Sequence, residues 1–177
     1  LSGTAITNLT LSNQAFLENL ILTDCNSLTS ITIENCGKLS SLNIPKNVTS
    51  LTVRNCPALE SIIIFYNSAN NSISPLNRVS IDNCPGLKSF SIPGQNNPAL
   101  IVELAGAWNL ETLNVSRTNI SSNNLILPSS EIWTTLKSLD ISRTDLNTLK
   151  FTNQTYDYLN LSMFPDLDNI IAMNCSN

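Results

Sequence analysis

A line of apolar residues that returns about every 11 residues constrains this chain more than anything else in it. Written as L-x-x-L-x-I-x-x-C-x-x-L, the line is clearest between Cys36 and Cys56, where Leu39, Leu42, Ile44, Val48, Leu51 and Val53 hold the aliphatic positions. Earlier copies run through Leu17, Leu20, Leu22 and Cys25, then Leu28, Ile31 and Ile33. Later ones run through Leu59, Ile62 and Ile64, then Leu76, Val79, Ile81 and Cys84, then Leu87, Phe90 and Ile92. Beyond Pro93 the aliphatic positions persist while Ala107, Thr118 and Thr144 take the cysteine position, and the segments 114–120 (NVSRTNI) and 140–146 (DISRTDL) are near-duplicates. A short fixed period of this kind belongs to stacked coils, each too small to bury its apolar face without its neighbours.

The spacing also selects the secondary structure. Within each copy the triplet L-x-I alternates inward and outward and is rich in β-branched residues, which is the periodicity of a strand. About five residues separate successive triplets, too few for a helix of two or three turns. The expected architecture is therefore a mainly β repeat solenoid with little helix, carrying short parallel strands on both faces. Two half-coils make one turn of about 20–22 residues, giving about seven turns. At ~4.8 Å per strand spacing the body is about 35 Å long. With 177 residues, 42% hydrophobic and only 12% charged, the chain has enough apolar matter for one core, and 1–177 reads as a single solenoid domain.

Five cysteines suggest redox or metal chemistry until their positions are compared. Cys25, Cys36, Cys56, Cys84 and Cys175 all fill one slot of the repeat, each preceded by Asn or Asp. No C-x-x-C pair occurs, and an odd number cannot all pair within the chain. They read as buried thiols packed as small hydrophobes. A disulfide between stacked neighbours such as Cys36 and Cys56 is the alternative, since adjacent coils bring Cα atoms within about 5 Å.

Cys36, Leu39, Leu42, Ile44, Pro45 and Val48, followed by Leu51, Val53 and Cys56, resemble the BspA-like class of bacterial leucine-rich repeats, which read Cys-x-x-Leu-x-x-Ile-x-Ile-Pro before a valine and a second cysteine line. Cys84, Leu87, Phe90, Ile92 and Pro93 match the first half again. The resemblance implies a leucine-rich-repeat-like right-handed coil in an exported or surface-anchored bacterial protein used for attachment to proteins, glycans or other cells. It implies no chemistry. No leader is visible in this chain, so an extracellular or surface location rests on the resemblance alone.

Two sets of residues are candidates for contact with a ligand. If alternate half-coils lie on alternate faces, the middle residue of each triplet points outward. One face then carries Thr10, Thr32, Thr52, Ser80 and Glu103, continuing through Ile126, Lys150 and Ile171. Such hydroxyl rows also stabilise neighbouring strands on an exposed face. The second set sits in insertions, where loops on a rigid scaffold usually carry specificity: Phe65, Tyr66 and Asn67, then Asn96 and Asn97, then Trp133. Exposed aromatics anchor proteins and sugars, although Trp133, like Trp108 beside Leu110, also suits a cap on the apolar column.

Composition narrows the partners. The net charge is −4 and no Lys/Arg cluster occurs, which argues against nucleic acid and anionic membrane, and no apolar run reaches the roughly 18 residues of a membrane span. The chain has no histidine, the usual general base and commonest metal ligand, so no cofactor, metal or catalytic residue is expected. The expected function is a non-catalytic binding or adhesion module for a protein or glycan. Two alternatives stand beside it. One is a carbohydrate-active β-helix of the polysaccharide-lyase type, for which Asp140, Arg143 and Lys150 are the nearest approach to a catalytic cluster. The other is a structural spacer in a larger surface protein.

Overall fold

The computed structural model describes residues 5–22, 24–64, 75–128 and 135–146, together with short strands at 150–151, 154–155 and 169–171. Its odd-numbered strands are β1 (Asn8–Ser12), β3 (Ser30–Glu34), β5 (Ser50–Arg54), β7 (Arg78–Asp82), β9 (Ile101–Glu103), β11 (Leu125–Leu127) and β13 (Lys150–Phe151). They pair in parallel, each with the next, into one sheet. The strands β2 (Asn19–Leu20), β4 (Ser41–Ile44), β6 (Ser61–Ile64), β8 (Ser89–Ser91), β10 (Thr112–Asn114), β12 (Ser138–Asp140) and β15 (Asn169–Ile171) form the second. The remaining strand, β14 (Gln154–Thr155), runs antiparallel to β13 at the end of the first sheet. No helix occurs among the described residues, and the chain is a mainly β parallel solenoid.

The regular body counts about five turns, from β1–β2 to β9–β10, fewer than the seven expected. Strands β11, β12, β13 and β15 extend both sheets, but the coils joining them are only partly among the described residues. A second departure follows from β14. Strict alternation of faces ends where the chain doubles back on β13, so Ile171 pairs with Asp140 on the second sheet instead of extending the row of Thr10.

Inward-pointing residues stack coil on coil. Ile31, Leu51, Val79, Val102 and Leu125 form one buried column on the first sheet, and Leu42, Ile62, Phe90, Leu113 and Leu139 form another on the second. Corner residues such as Leu39, Leu59, Leu87 and Leu110 fill the space between the sheets. Each such side chain contributes roughly 1.5–3 kcal/mol by leaving water. A coil on its own has no opposite wall, which is why the columns bind neighbouring turns into one cooperative body.

What the 11-residue repeat merges into one cysteine slot is two separate corners in space. Cys36, Cys56 and Cys84 follow strands of the first sheet and stack in one column, where the register places Ala107 next. Cys25, Thr118 and Thr144 follow strands of the second sheet. Among the described residues all four cysteines are buried and none is in a disulfide. Threonine suits its corner because the hydroxyls of Thr118 and Thr144 donate to the carbonyls of Val115 and Ile141, both at 2.7 Å, which offsets the cost of burying a polar atom.

The residue before each cysteine of the first corner, like Asn13 at the equivalent place in the first coil, has a backbone task. Asn13, Asn35, Asn55 and Asn83 adopt φ of 58°, 56°, 53° and 47°, in the left-handed region that asparagine tolerates better than most residues. Their backbone turns let Asn13, Asn35 and Asn55 donate N–H to the carbonyls of Glu34, Arg54 and Asp82 in the next coil. The side chains then form a ladder, the Nδ2 of each donating to the Oδ1 of its predecessor at 3.0, 2.9 and 2.7 Å across sequence gaps of 22, 20 and 28 residues. On the opposite corner Arg117 and Arg143 make the same backbone turn, at φ 55° and 56°.

Asn55→Ala is expected to lower stability by about 1–2 kcal/mol, the cost of a left-handed alanine. Asn55→Gly should recover most of that loss, because glycine takes positive φ freely. Urea midpoints read at unchanged m-value test the order wild type, glycine, alanine; equal losses for both variants would assign the effect to the exposed ladder bonds instead.

Candidate functional site

The outward face of the first sheet is a grid written by the strand registers. Its middle row runs Thr10, Thr32, Thr52, Ser80, Glu103, each opposite the next, and continues to Ile126 and Lys150. All five residues singled out from the spacing are thus in one line. Thr10 is exposed and the other four are half-buried. Asn8, Ser30, Ser50, Arg78 and Ile101 flank the row on one side, and Ser12, Glu34, Arg54 and Asp82 on the other. The face changes along its length: hydroxyl and amide groups fill the first coil, charges enter at the edge with Glu34 and Arg54, and Arg78, Asp82 and Glu103 dominate the fourth and fifth coils.

At that transition the face dips into an open depression of about 250 Å³ around Ser80, walled by Arg54, Asp82, Glu103, Ala105 and Ile126. Two of its charged walls, Arg54 and Glu103, are held in place by partners across strands. The Arg78 guanidinium donates to both Glu103 carboxylate oxygens at 2.7 Å, and Arg54 lies 3.6 Å from Glu34. These pairs are partly exposed to solvent, so they position side chains more than they stabilise the fold. A guanidinium, two carboxylates, a hydroxyl and two small apolar surfaces converge there, a set suited to hydrogen bonding with a polar ligand. No histidine stands by to activate the Ser80 hydroxyl.

The insertion residues fare differently. Asn97 is buried, and its side chain serves the coil: Nδ2 donates to the Leu76 carbonyl at 2.9 Å and to Asn77 Oδ1 at 2.7 Å, while Oδ1 accepts from the Ala99 N–H. The same segment is tied to the following turn by Gly94 N–H to Ser116 and Asn119 N–H to Gln95. Asn97 therefore braces a turn instead of facing outward, and Asn96 beside it is half-buried. Trp108 is half-buried next to buried Ala107. Phe65, Tyr66, Asn67 and Trp133 lie outside the described residues.

Two surface features escaped the reading of the spacing. Phe16, one residue before the repeat position Leu17, is 84% exposed, with Lys38 Nζ 5.4 Å from its ring centre. Its legible signal was an aromatic residue off the inward positions. The second sheet carries an outward line of hydroxyls, Ser41, Ser61, Ser89, Thr112 and Ser138, every one the first residue of its strand. Beside it Glu60, Lys88, Glu111 and Lys137 are joined rung by rung through backbone bonds and alternate in sign. Lys88 stands 3.9 Å from Glu60 and Lys137 2.8 Å from Glu111, and the hydrogen bond from Lys137 holds the Glu111 carboxyl below its ordinary value.

The residues nearest to a lyase cluster do not assemble. Asp140 belongs to the second sheet and Lys150 to the first, and the Asp140 Oδ1 is occupied by the Ser142 N–H and hydroxyl at 3.1 and 2.7 Å. Among the described residues no group of three or more His, Cys, Asp or Glu is arranged to hold a metal ion, and no helix is long and apolar enough to cross a membrane. Set against family models, curated proteins and solved structures, the chain matches none of them.

Proposed function

We propose that this protein is a non-catalytic binding module, an adhesion domain of a cell surface, that engages a protein or glycan through the outward face of its first sheet. The observation that carries the reading is the in-register row Thr10, Thr32, Thr52, Ser80, Glu103 running into the depression walled by Arg54, Asp82 and Ile126. A face built on stacked coils is rigid before it meets a ligand, so little ordering cost opposes association. The resemblance of the repeat to BspA-like bacterial leucine-rich repeats supports an extracellular or surface-anchored setting.

The test is a binding panel of extracellular-matrix proteins and glycans against three forms of the protein. These are the wild type, a face variant carrying Thr52→Lys and Ser80→Lys, and a loop variant in which Phe65, Tyr66 and Trp133 are replaced by alanine. Saturable binding that falls at least tenfold in the face variant supports the face as the site. Loss confined to the loop variant moves the site to the insertions. A wild type that binds nothing on the panel overturns the binding reading in favour of a structural spacer.

A further inference from the structure

The column Cys36, Cys56, Cys84 has no part in the binding face, and its geometry suits a chemistry of its own. The three thiols occupy equivalent positions on consecutive turns, since β3 pairs with β5 and β5 with β7 in continuous register up to the residues just before them. Each is fully buried, and each thiol donates to the carbonyl two residues back, Glu34, Arg54 and Asp82, at 3.5, 3.3 and 3.3 Å.

Strand spacing decides which pairs can join. Consecutive coils place Cα atoms ~4.8 Å apart, inside the window of about 4.4–6.8 Å that a disulfide accepts. Cys36 and Cys84 are two spacings apart, ~9.6 Å, and out of reach of each other. The central cysteine is therefore a member of every bridge the column can form. We propose that the column is an oxidation site in which a peroxide converts Cys56 and one neighbour, Cys36 or Cys84, into a disulfide within the folded solenoid.

The step balances with peroxide as the only co-reactant. The Cys56 thiolate attacks one peroxide oxygen, the O–O bond breaks, and hydroxide leaves, giving a sulfenic acid. The neighbouring thiol then attacks the Cys56 sulfur, the S–O bond breaks, and the second oxygen departs as water with that thiol's proton. In sum two thiols and one hydrogen peroxide give one disulfide and two waters.

Two features favour Cys56 as the attacking group. Interaction with the Cys84 side chain holds its thiol below the ordinary value, at about 7, while the same interaction together with burial raises Cys84, and burial raises Cys36. Access is short, because the column lies one residue inward of the exposed asparagines 35, 55 and 83, and hydrogen peroxide is small enough to enter when that corner opens locally. Cys25, on the opposite corner, has no place in this chemistry.

The experiment treats the folded, reduced full chain with hydrogen peroxide, blocks the remaining thiols, and reads intact mass and peptide map. The expected product has lost two hydrogen atoms and contains a peptide pair joining Cys56 to Cys36 or to Cys84. Cys36→Ala and Cys84→Ala should each retain one bridge through Cys56. Cys56→Ala should form none, and alanine suits the slot because Ala107 occupies it one coil on. The double variant Cys36→Ala/Cys84→Ala, in which Cys56 itself is intact, should also form none. A bridge in Cys56→Ala, a wild-type bridge to Cys25 or Cys175, or mass gains from sulfinic acid without any bridge would each overturn the proposal. The outcome is independent of whether the face binds a ligand.

Discussion

Replacing Leu51 with aspartate is expected to abolish the cooperative unfolding transition, leaving a chain that is largely unfolded at 25 °C. Leu51 is fully buried between Ile31 and Val79 in the central column of the first sheet. Removing the leucine side chain alone costs about 2–5 kcal/mol. An aspartate there also buries a carboxylate with no cation in reach, which adds roughly 3–5 kcal/mol before it protonates or drags water inward. Domains of this size have total stabilities of about 5–15 kcal/mol, so the substitution consumes most or all of the margin. Because stability in a solenoid passes from turn to turn, the damage falls on both flanking coils as well. Circular dichroism melts of wild type, Leu51→Val and Leu51→Asp check this. The valine should cost about 1 kcal/mol, as Val79 already serves in the same column, whereas an aspartate variant melting with the wild type would remove Leu51 from the core.

The second large effect is expected at a glycine. A Cβ on Gly106 would lie 2.1 Å from the backbone nitrogen of Asn83 and 2.6 Å from the Cα and carbonyl carbon of Asp82. None of these atoms can swing aside as a side-chain end can, so Gly106→Ala must part the coils of β7 and β9 or bend one of them. Overpacking of this sort costs about 1–3 kcal/mol, and an obstacle made of backbone belongs at the upper end. At roughly 2–4 °C per kcal/mol for a chain of this length, the melting temperature should fall by about 6–12 °C. Gly37→Ala is the matched control, because a Cβ there meets nothing within 4 Å. It should be neutral or stabilise by about 0.4–1 kcal/mol through the unfolded chain. Equal melts for the two variants would mean that the close approach at Gly106 is absent in solution.

The same glycine ends the asparagine ladder. Gly106 takes the place next to Asn83 at that corner, its carbonyl accepting the Cys84 N–H at 3.0 Å. With no side chain, no fifth rung is possible, and the ladder stops where the first sheet's strands shorten from five residues in β7 to three in β9. At and beyond that point the charge pairs Arg78–Glu103 and Glu111–Lys137 join neighbouring coils.

Inward and outward positions were legible from the chain alone, since they depend only on alternation within a few residues. That alternation assigns Leu51, Val53, Ile62 and Leu113 to the core, and Thr32, Thr52, Ser80 and Glu103 to one outward row. The exclusion of helix was legible for the same local reason. Lateral neighbours were legible only in part, in that row and in the stacking of Cys36 on Cys56, because they depend on the length of every coil, and the gaps between successive rungs vary from 20 to 28 residues. Only the assembled coils show that Cys84 joins Cys36 and Cys56 at one corner while Cys25 lies across the core. They also bring Arg54, Asp82 and Glu103 around Ser80, and turn Asn97 inward to brace its own turn. A period read along the chain reports which way a side chain points; which side chain stands beside it is decided when hydrogen-bonded coils of unequal length settle into register.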